Sequence, residues 1–305
     1  MSYDLLALCR LEGVSWHFLA REAQRPGDLE RLLEGFALET GPEAERTLEV
    51  IRRADLAEHR EAVARLLERT SAEGIRLTTV LDPDYPANLR LVYNLPPFLF
   101  YRGELRPDDA YSVAVVGPRQ PSPEGLARAR RLACLLAAHG VTVLSGLARG
   151  IDTAAHEGCL AAGGRTIAVL GSGIRRIYPP ENAGLAERIA AGGAVVSQFW
   201  PDTGPASSTF PRRNVVMSGM GQGTVVVEVS ETSGARMQAR LAIEHGKQVF
   251  LLANLVTDRP WARRYLDRPG VTAVSEVDDI IRSLRSPAQV EQQAQQRLQL
   301  SLDLV

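Results

Sequence analysis

Apolar residues recur every three or four positions through the first 75 residues, which is the spacing of helices that bury one face. Leu29, Leu32 and Leu33 follow this spacing, and no stretch of residues 1–75 alternates as a half-buried strand does. Glycine and proline at 26–27 and 41–42 interrupt the pattern. Residues 1–75 are therefore predicted to form a small domain of four or five short helices.

After residue 75 short apolar runs begin to appear, and from residue 112 they alternate with helical stretches. Strands are predicted at 76–81, 98–101, 112–116, 141–145, 166–170, 194–197, 224–229, 248–252 and 271–274. Helices are predicted at 123–139, 151–162, 182–191, 211–220, 233–245 and 276–284. Strands that are apolar along their whole length and are followed by helices are typical of a parallel sheet covered on both faces. The predicted fold class is α/β, with an extended Rossmann-like, doubly wound and mostly parallel sheet over residues 76–285.

The last 20 residues, 286–305, are rich in glutamine and poor in apolar side chains. A segment of this composition buries too little apolar surface to offset the entropy of ordering it alone. It is predicted to be a tail that is disordered or loosely helical.

Charge is distributed unevenly along the chain, although the net charge is only −1. Residues 1–75 contain 10 arginines and 15 acidic residues, a net charge of −5, so the remaining residues carry +4. Any anion-binding surface is therefore expected after residue 75. Lys247 is the only lysine, so the other basic side chains are arginines, which bind phosphate with two parallel hydrogen bonds.

No apolar run approaches the roughly 20 residues that a membrane span needs, and charged residues interrupt the first apolar stretch as they would not in a signal peptide. The three cysteines lie far apart with no CxxC pair, which is typical of reduced thiols. We therefore expect a cytoplasmic protein without a membrane segment.

Two successive predicted strands end in glycine, arginine and hydroxyl residues where a helix begins. The first turn contains Gly117, Arg119 and Ser122, and the second contains Ser145, Gly146 and Arg149. In a parallel sheet both turns lie at the carboxyl edge, where helix N-termini present free N–H groups to anions. A phosphate-bearing ligand is the first hypothesis.

A third cluster comprises Phe210, Pro211, Arg212, Arg213 and Asn214 at a predicted helix start, where proline is well tolerated. Two cations at the positive end of a helix are unfavourable unless an anion binds there. Phe210 would give a nucleobase a surface for stacking. Further along, Ser233-Gly234 is a possible amide nest for phosphate, although ordinary helix capping explains it equally well.

Several common sites do not fit the sequence. Gly171-Ser172-Gly173 follows a strand but lacks the third glycine of the dinucleotide fingerprint, and Lys247 lacks the glycine spacing of a Walker loop. There is no GxSxG elbow, and the histidines are scattered without metal-ligand spacing. We expect no catalytic residues, no metal and no cofactor.

Taken together, the motifs resemble the DprA (Smf) family of DNA-processing proteins. The resemblance covers roughly residues 76–253, and the acidic helices before it resemble the sterile-alpha-motif-like (SAM-like) domain of many members. It is carried by Tyr85-Pro86, Val116-Gly117-Pro118-Arg119, Ser145-Gly146-Leu147-Ala148-Arg149-Gly150-Ile151-Asp152, Leu170-Gly171-Ser172-Gly173, Tyr178-Pro179, Phe210-Pro211-Arg212-Arg213-Asn214, Ser233-Gly234 and Gly246.

The resemblance implies a homodimer that binds and protects single-stranded DNA and loads the RecA recombinase onto it during natural transformation. It places Arg119, with Arg212 or Arg213, in the family's DNA pocket. The expected nucleic-acid-binding residues are Gly117, Arg119, Ser122, Ser145, Gly146, Arg149, Gly171, Gly173, Phe210, Arg212, Arg213, Asn214, Ser233, Gly234 and Lys247.

The sequence departs from the family after Phe250, where an arginine-rich stretch at 259–268 replaces a glycine-asparagine segment. Many members also carry a winged-helix-like C-terminal domain, and the residues after Leu284 are too few to form one.

The alternative is a LOG-like nucleotide hydrolase or a small-nucleotide sensor on the same sheet. Those hydrolases have a GGxGTxxE loop, whereas here three residues separate Thr224 from Glu228. On a strand, one extra residue turns a side chain to the opposite face, so Glu228 is expected to miss the cleft.

Overall fold

The computed structural model describes residues 2–25, 27–229 and 234–300, with side chains described through residue 296. Its first 75 residues contain helices with the predicted one-sided burial. Leu29 and Leu32, three residues apart, are both buried, as the helical spacing requires. The helices are α1 (Ser2–Cys9), α2 (Trp16–Glu22), α3 (Asp28–Leu33), α4 (Pro42–Arg53) and α5 (Ala57–Ala72).

A single nine-stranded sheet follows in the described part of the chain, with strand order β1-β2-β6-β5-β4-β3-β7-β8-β9. The pairings of β2 with β1 and with β6 are antiparallel, and the remaining pairings are parallel. The predicted α/β, mostly parallel, Rossmann-like sheet is confirmed. The strands are β1 (Arg76–Thr79), β2 (Phe98–Gly103), β3 (Ser112–Val116), β4 (Thr142–Ser145), β5 (Thr166–Val169), β6 (Ala194–Ser197), β7 (Gly223–Val226), β8 (Gln248–Leu252) and β9 (Val271–Val274).

Helices connect these strands, most within two residues of the predicted ends. Strand β7 is shorter than predicted, because the chain leaves the sheet after Val226 and carries Glu228 away from it. The helices are α6 (Ala87–Arg90), α7 (Pro123–Ala138), α8 (Ile151–Ala161), α9 (Ala183–Gly192), α10 (Thr209–Met220), α11 (Gly234–Glu244), α12 (Ala253–Asp258), α13 (Pro260–Tyr265), α14 (Val277–Ile281) and α15 (Pro287–Leu300).

The sheet is buried on both faces because successive side chains of its fully apolar strands point to opposite sides. Val113 and Val115 pack with α7 and α8, whereas Ala114 and Val116 belong to the other core with α10. That second core continues without interruption into the N-terminal helices. The ring of Trp16 on α2, for example, lies 5.0 Å from that of Phe98 on β2.

The direction of the chain across the sheet reverses at β3. Strands β4, β5 and β6 are added on one side of β3, and β7, β8 and β9 on the other. The loops that leave β3 and β7 therefore diverge at their carboxyl ends and open a crevice, the usual place for ligands in such sheets.

The glutamine-rich segment, which is predicted to be disordered or loosely helical, forms α15. Val290 and Ala294, four residues apart on one face of this helix, are both buried. Tertiary packing supplies the apolar contact that its composition alone does not. No helix within the described residues is both long and apolar enough to cross a membrane.

Candidate nucleic-acid interface

A cleft of about 640 Å³ occupies the crevice at the carboxyl ends of β3 and β4. The segments at the ends of these two strands form one side, through residues 116–120 and through Ala148, Arg149 and Asp152. Helix α10 contributes Phe210, Arg213 and Met217, and the start of α11 contributes Gly234 and Gln238. The structure thus brings together three sequence motifs separated by about one hundred residues.

Arg119 is exposed at the mouth of the cleft, with its guanidinium carbon 5.1 Å from the centre of the Phe210 ring. Among the residues that the structure describes, no carboxylate lies within ion-pairing distance of it. The ring of Tyr178, itself partly exposed, lies 6.0 Å from that of Phe210. A cation and two aromatic rings therefore share one accessible surface, which is the combination that binds phosphates and unpaired bases.

Arg213 lies deeper and is almost completely buried. Its Nη1 donates hydrogen bonds to the carbonyl oxygens of Gly146 (2.6 Å) and Val169 (3.0 Å), and its Nε donates to Oδ1 of Asn214. A Cβ on Gly146 would lie 1.6 Å from Nη1, so only glycine leaves room for this guanidinium. Arg213 thus joins β4 to β5 and adds a fixed positive charge behind the cleft.

Asp152 provides the counter-charge beneath Arg213. Its Oδ2 accepts hydrogen bonds from the backbone N–H groups of Gly146 and Ala148. Burial raises the pKa of this carboxyl group, and the positive charge of Arg213 opposes the rise. For Arg213 burial lowers the pKa, Asp152 raises it, and the like charge of Arg119 lowers it further. Arg119 and Arg213 are therefore close enough to repel each other, which favours the binding of an anion between them.

The predicted phosphate cradle at the start of α7 is already occupied by an internal carboxylate. Oε2 of Glu228 accepts a hydrogen bond from the Ser122 hydroxyl (2.8 Å), and both Glu228 oxygens accept from the Ser122 N–H. The Ser122 hydroxyl also caps the helix by accepting from the N–H of Gly125. Glu228 takes the place that an anion would have at this helix N-terminus.

Arg149 lines the cleft and is ion-paired with Glu181 through its Nε. The hydrogen bond with this carboxylate raises the pKa of Arg149 and lowers that of Glu181. Both side chains are about half exposed, so solvent screens the pair. A phosphate could exchange with Glu181 here at modest cost.

The adjacent arginines of α10 point in different directions. Arg212 does not line the cleft; its guanidinium lies 5.3 Å from the ring of Trp16 and 5.1 Å from that of Phe199. Consecutive helical residues are about 100° apart around the axis, which separates Arg212 from Arg213. Of the two residues expected for the family's DNA pocket, Arg212 or Arg213, only Arg213 lines the cleft with Arg119, and the DNA-binding role of both stays a prediction.

The remaining predicted residues divide by position. The hydroxyl of Ser145 is buried and donates to the carbonyl oxygen of Val115, so it points into the sheet. Gly171 lies against Phe210, whose ring would be 2.6 Å from an added Cβ, and the buried Gly173 donates its N–H to Thr203. These two glycines serve packing.

Lys247 lies at the amino end of β8, at the opposite edge of the sheet from the cleft, and its Nζ is 3.4 Å from the carbonyl oxygen of Asn88. Gly117 and Asn214 line the cleft, as does the exposed Gly234. Ser233 lies outside the described residues. The DNA-binding role of all these positions stays a prediction.

Met217 and Gln238 line the cleft and were not among the expected site residues. Each lies four residues after a predicted site residue, Arg213 in the first case and Gly234 in the second, and therefore shares its helix face. That spacing is the signal that could have identified them.

The comparisons with known proteins agree with the motifs. The family model of DNA recombination-mediator protein A matches residues 76–285. DNA processing protein DprA of Bacillus subtilis is 33% identical over 223 residues, which are 72% of this chain and 75% of that protein. Protein Smf of Escherichia coli is 40% identical over 206 residues, which cover 66% of this chain but 54% of that protein. The chain thus spans about half the length of this relative.

Solved structures match as well. DNA processing protein A from Streptococcus pneumoniae superposes with a TM-score of 0.73 at 27% identity, over 93% of this chain and 98% of that one. The protein of the same name from Helicobacter pylori superposes with a TM-score of 0.60 at 25% identity, over 68% and 95% of the two chains. The chain therefore belongs to the DNA recombination-mediator protein A family, the DprA (Smf) family that its motifs indicated.

Proposed function

We propose that this protein binds single-stranded DNA in the cleft between β3, β4 and α10. The observation that carries the proposal is the exposed guanidinium of Arg119, which lies over Phe210 without a carboxylate partner among the described residues. A positive charge at a sheet crevice attracts phosphate, and the adjacent ring gives a base something to stack on.

The aromatic component favours an unpaired strand over a duplex. Phe210 and Tyr178 can stack only on bases whose faces are free, and paired bases hide those faces. The cleft is also concave, with Arg213 at its base, so a phosphate must enter it to approach the buried charge. A single strand can bend to do so, whereas a duplex is stiff over this length.

A relative supports the same interpretation. The Helicobacter pylori structure describes the unique single-stranded DNA binding mode of DNA processing protein A. By family resemblance the proposal extends to protection of incoming single strands, delivery to the RecA recombinase in natural transformation, and action as a cytoplasmic homodimer. Displacement of a single-strand-binding protein by RecA, measured with and without this protein, tests the delivery step.

The binding proposal is tested by titrating a labelled oligo-dT strand and a duplex of equal length at two salt concentrations. Preferential binding of the single strand is expected, with affinity falling as salt rises at a slope of about −0.7 per neutralised phosphate. Arg119→Ala combined with Arg212→Ala is expected to weaken binding strongly without loss of the fold. Because Arg212 faces Trp16, Arg119→Ala alone should account for most of that loss. Unchanged binding in the double variant would reject the assignment.

The alternative nucleotide hydrolase has less support. Its candidate carboxylate, Glu228, is held by Ser122 at the start of α7 and is not among the described residues that line the cleft. Incubation with AMP and detection of released base distinguishes the hydrolase, and calorimetry with nucleotides distinguishes a sensor.

A further inference from the structure

A second arginine-rich surface lies on α11 and α13, outside the cleft. It borders an open groove of about 520 Å³. It is lined by four arginines, two aromatic residues and one methionine: Arg236, Arg240, Arg264, Arg268, Trp261, Tyr265 and Met237. We call this surface the α11–α13 groove. Residues 259–268 supply half of its arginines and both of its aromatic rings, and this is the stretch in which the sequence departs from the family pattern.

Aromatic rings hold the arginines of the α11–α13 groove in place. The rings of Trp261 and Tyr265 are 4.5 Å apart and are both partly exposed. The guanidinium of Arg236 lies 5.3 Å from the Trp261 ring, and that of Arg268 lies 4.9 Å from the Tyr265 ring. Contact with a ring restricts a guanidinium without using its hydrogen-bond donors. Arg268, which no described carboxylate pairs, therefore loses less side-chain entropy when it binds a phosphate.

Little negative charge offsets the arginines. Arg240 pairs with Glu244 at 3.4 Å, and both side chains are largely exposed, so the pair is weak. Among the described residues no carboxylate lies within ion-pairing distance of Arg264 or Arg268, both of which are exposed. Arg264 and Arg268 therefore add positive charge to the groove that no described carboxylate pairs.

Helix α11 connects the groove to the cleft. Gly234, Ala235 and Gln238 line the cleft, whereas the neighbouring Arg236 and Arg240 line the groove. The two sites thus lie on different faces of one helix, and the helix with its side chains is about 10 Å across. A chain of phosphates leaving the cleft over the start of α11 reaches the groove within a few nucleotides.

We propose that the α11–α13 groove is a second contact site for the same single strand. Arg264 and Arg268 bind backbone phosphates, and the guanidinium planes beside Trp261 and Tyr265 stack against unpaired bases. This inference rests on the proposed function of the cleft and extends the bound length of the strand. It requires no sequence preference, because phosphates and base faces are common to all sequences.

The test compares two oligo-dT lengths, about 6 nucleotides to fill the cleft alone and about 20 to reach the groove. The variant is Arg264→Glu with Arg268→Glu, and Arg264→Gln with Arg268→Gln removes the charge without reversing it. For the longer strand the glutamine variant is expected to lose about tenfold in affinity, with a salt slope smaller by about 1.4 for two lost phosphate contacts. Affinity for the shorter strand is expected to remain within twofold.

Matched controls come from exposed positions elsewhere. Arg69→Gln with Arg188→Gln removes the same charge from α5 and α9 and should leave both affinities unchanged. Trp261→Phe keeps a ring for Arg236 but removes the tryptophan fluorescence of the groove. The wild-type protein should show a larger change in tryptophan fluorescence with the longer strand than with the shorter one. The Trp261→Phe variant should show no such difference.

The outcomes separate the two proposals. If the wild-type protein binds the longer strand and the glutamine variant binds it equally well, the groove proposal is overturned and the cleft proposal stands. If the wild-type protein binds neither length, the cleft proposal is rejected, and the groove proposal that rests on it is rejected as well. Binding of polyglutamate is measured beside binding of oligo-dT. If the glutamine variant no longer binds polyglutamate but binds both oligo-dT lengths as the wild type does, the surface serves an acidic protein partner and the single-strand assignment is wrong.

Discussion

The guanidinium of Arg213 occupies the space that the missing side chain of Gly146 leaves open, with Nη1 2.6 Å from the Gly146 carbonyl oxygen. The glycine of the second turn therefore accommodates a buried cation, although its sequence context suggested a phosphate cradle. Together with the hydrogen bond from Nη1 to the carbonyl oxygen of Val169, this contact fixes α10 to the ends of β4 and β5. It also positions Phe210, three residues earlier on α10, at the cleft mouth.

Gly146→Ala is expected to lower the free energy of unfolding by about 1–3 kcal/mol, because the new methyl group must displace the guanidinium. Chemical denaturation measures the change. Gly184→Ala is the matched control, since an added Cβ there meets nothing within 4 Å. A Gly146→Ala protein as stable as the control would show that Arg213 does not need this space.

Ser122→Ala is expected to lower the free energy of unfolding by about 1 kcal/mol through loss of the cap of α7. It also removes a hydrogen bond to Glu228. Ser207→Ala, at an exposed position outside the regular elements, is the control and should be neutral. Equal stability of the two variants in urea denaturation would contradict the capping role of Ser122.

Phe210→Ala is expected to weaken oligo-dT binding by about 1–3 kcal/mol, the value of one stacked base, with a nearly unchanged salt slope. Arg119→Ala should instead reduce the slope by about 0.7, because it removes a phosphate contact. Phe36→Ala changes an exposed phenylalanine outside the cleft and serves as the control. Mobility-shift titrations at several salt concentrations measure both quantities. A Phe210 variant that binds as tightly as the control would remove base stacking from the proposal.

Stability is expected to fall as the pH drops below about 6.5, since two histidines are neutral in the fold. Burial lowers the pKa of His156 to about 3 and that of His245 to about 4. The ring nitrogens of His245 are hydrogen-bonded to the Ser218 hydroxyl and to Oδ1 of Asn94, and the charge of nearby Lys247 also lowers the pKa of His245.

Both folded-state pKa values lie below the unfolded value of about 6.5, so the unfolded chain binds more protons than the folded one. The free energy of unfolding therefore rises with pH between the folded-state pKa values and about pH 6.5. His245→Gln should therefore reduce the slope of unfolding free energy against pH by about 1.2 kcal/mol per pH unit near pH 5. Urea denaturation between pH 7 and 5 measures it. An unchanged slope would mean that His245 has the same pKa in the folded and the unfolded chain.

The sequence by itself determined the parallel sheet and the edge of the sheet at which the cleft lies. Strands with an apolar run such as 113–116 must be covered on both faces, and the turns after parallel strands must meet at one edge. Local pattern suffices for these features because each depends on residues close together in the chain. The same reasoning predicted that the turns after β3 and β4 border the ligand site. Gly117 and Arg119 of the first turn and Arg149 of the second do line the cleft.

Only the tertiary structure decided which charged groups remain available to bind an anion. Glu228 is more than one hundred residues from Ser122 in the chain, yet it occupies the start of α7. Arg212 is adjacent to Arg213, yet it is drawn to Trp16 of an N-terminal helix while Arg213 is buried. Pairing of charges across such separations depends on how the elements pack, and a one-dimensional pattern carries no record of which distant carboxylate or ring will meet each arginine.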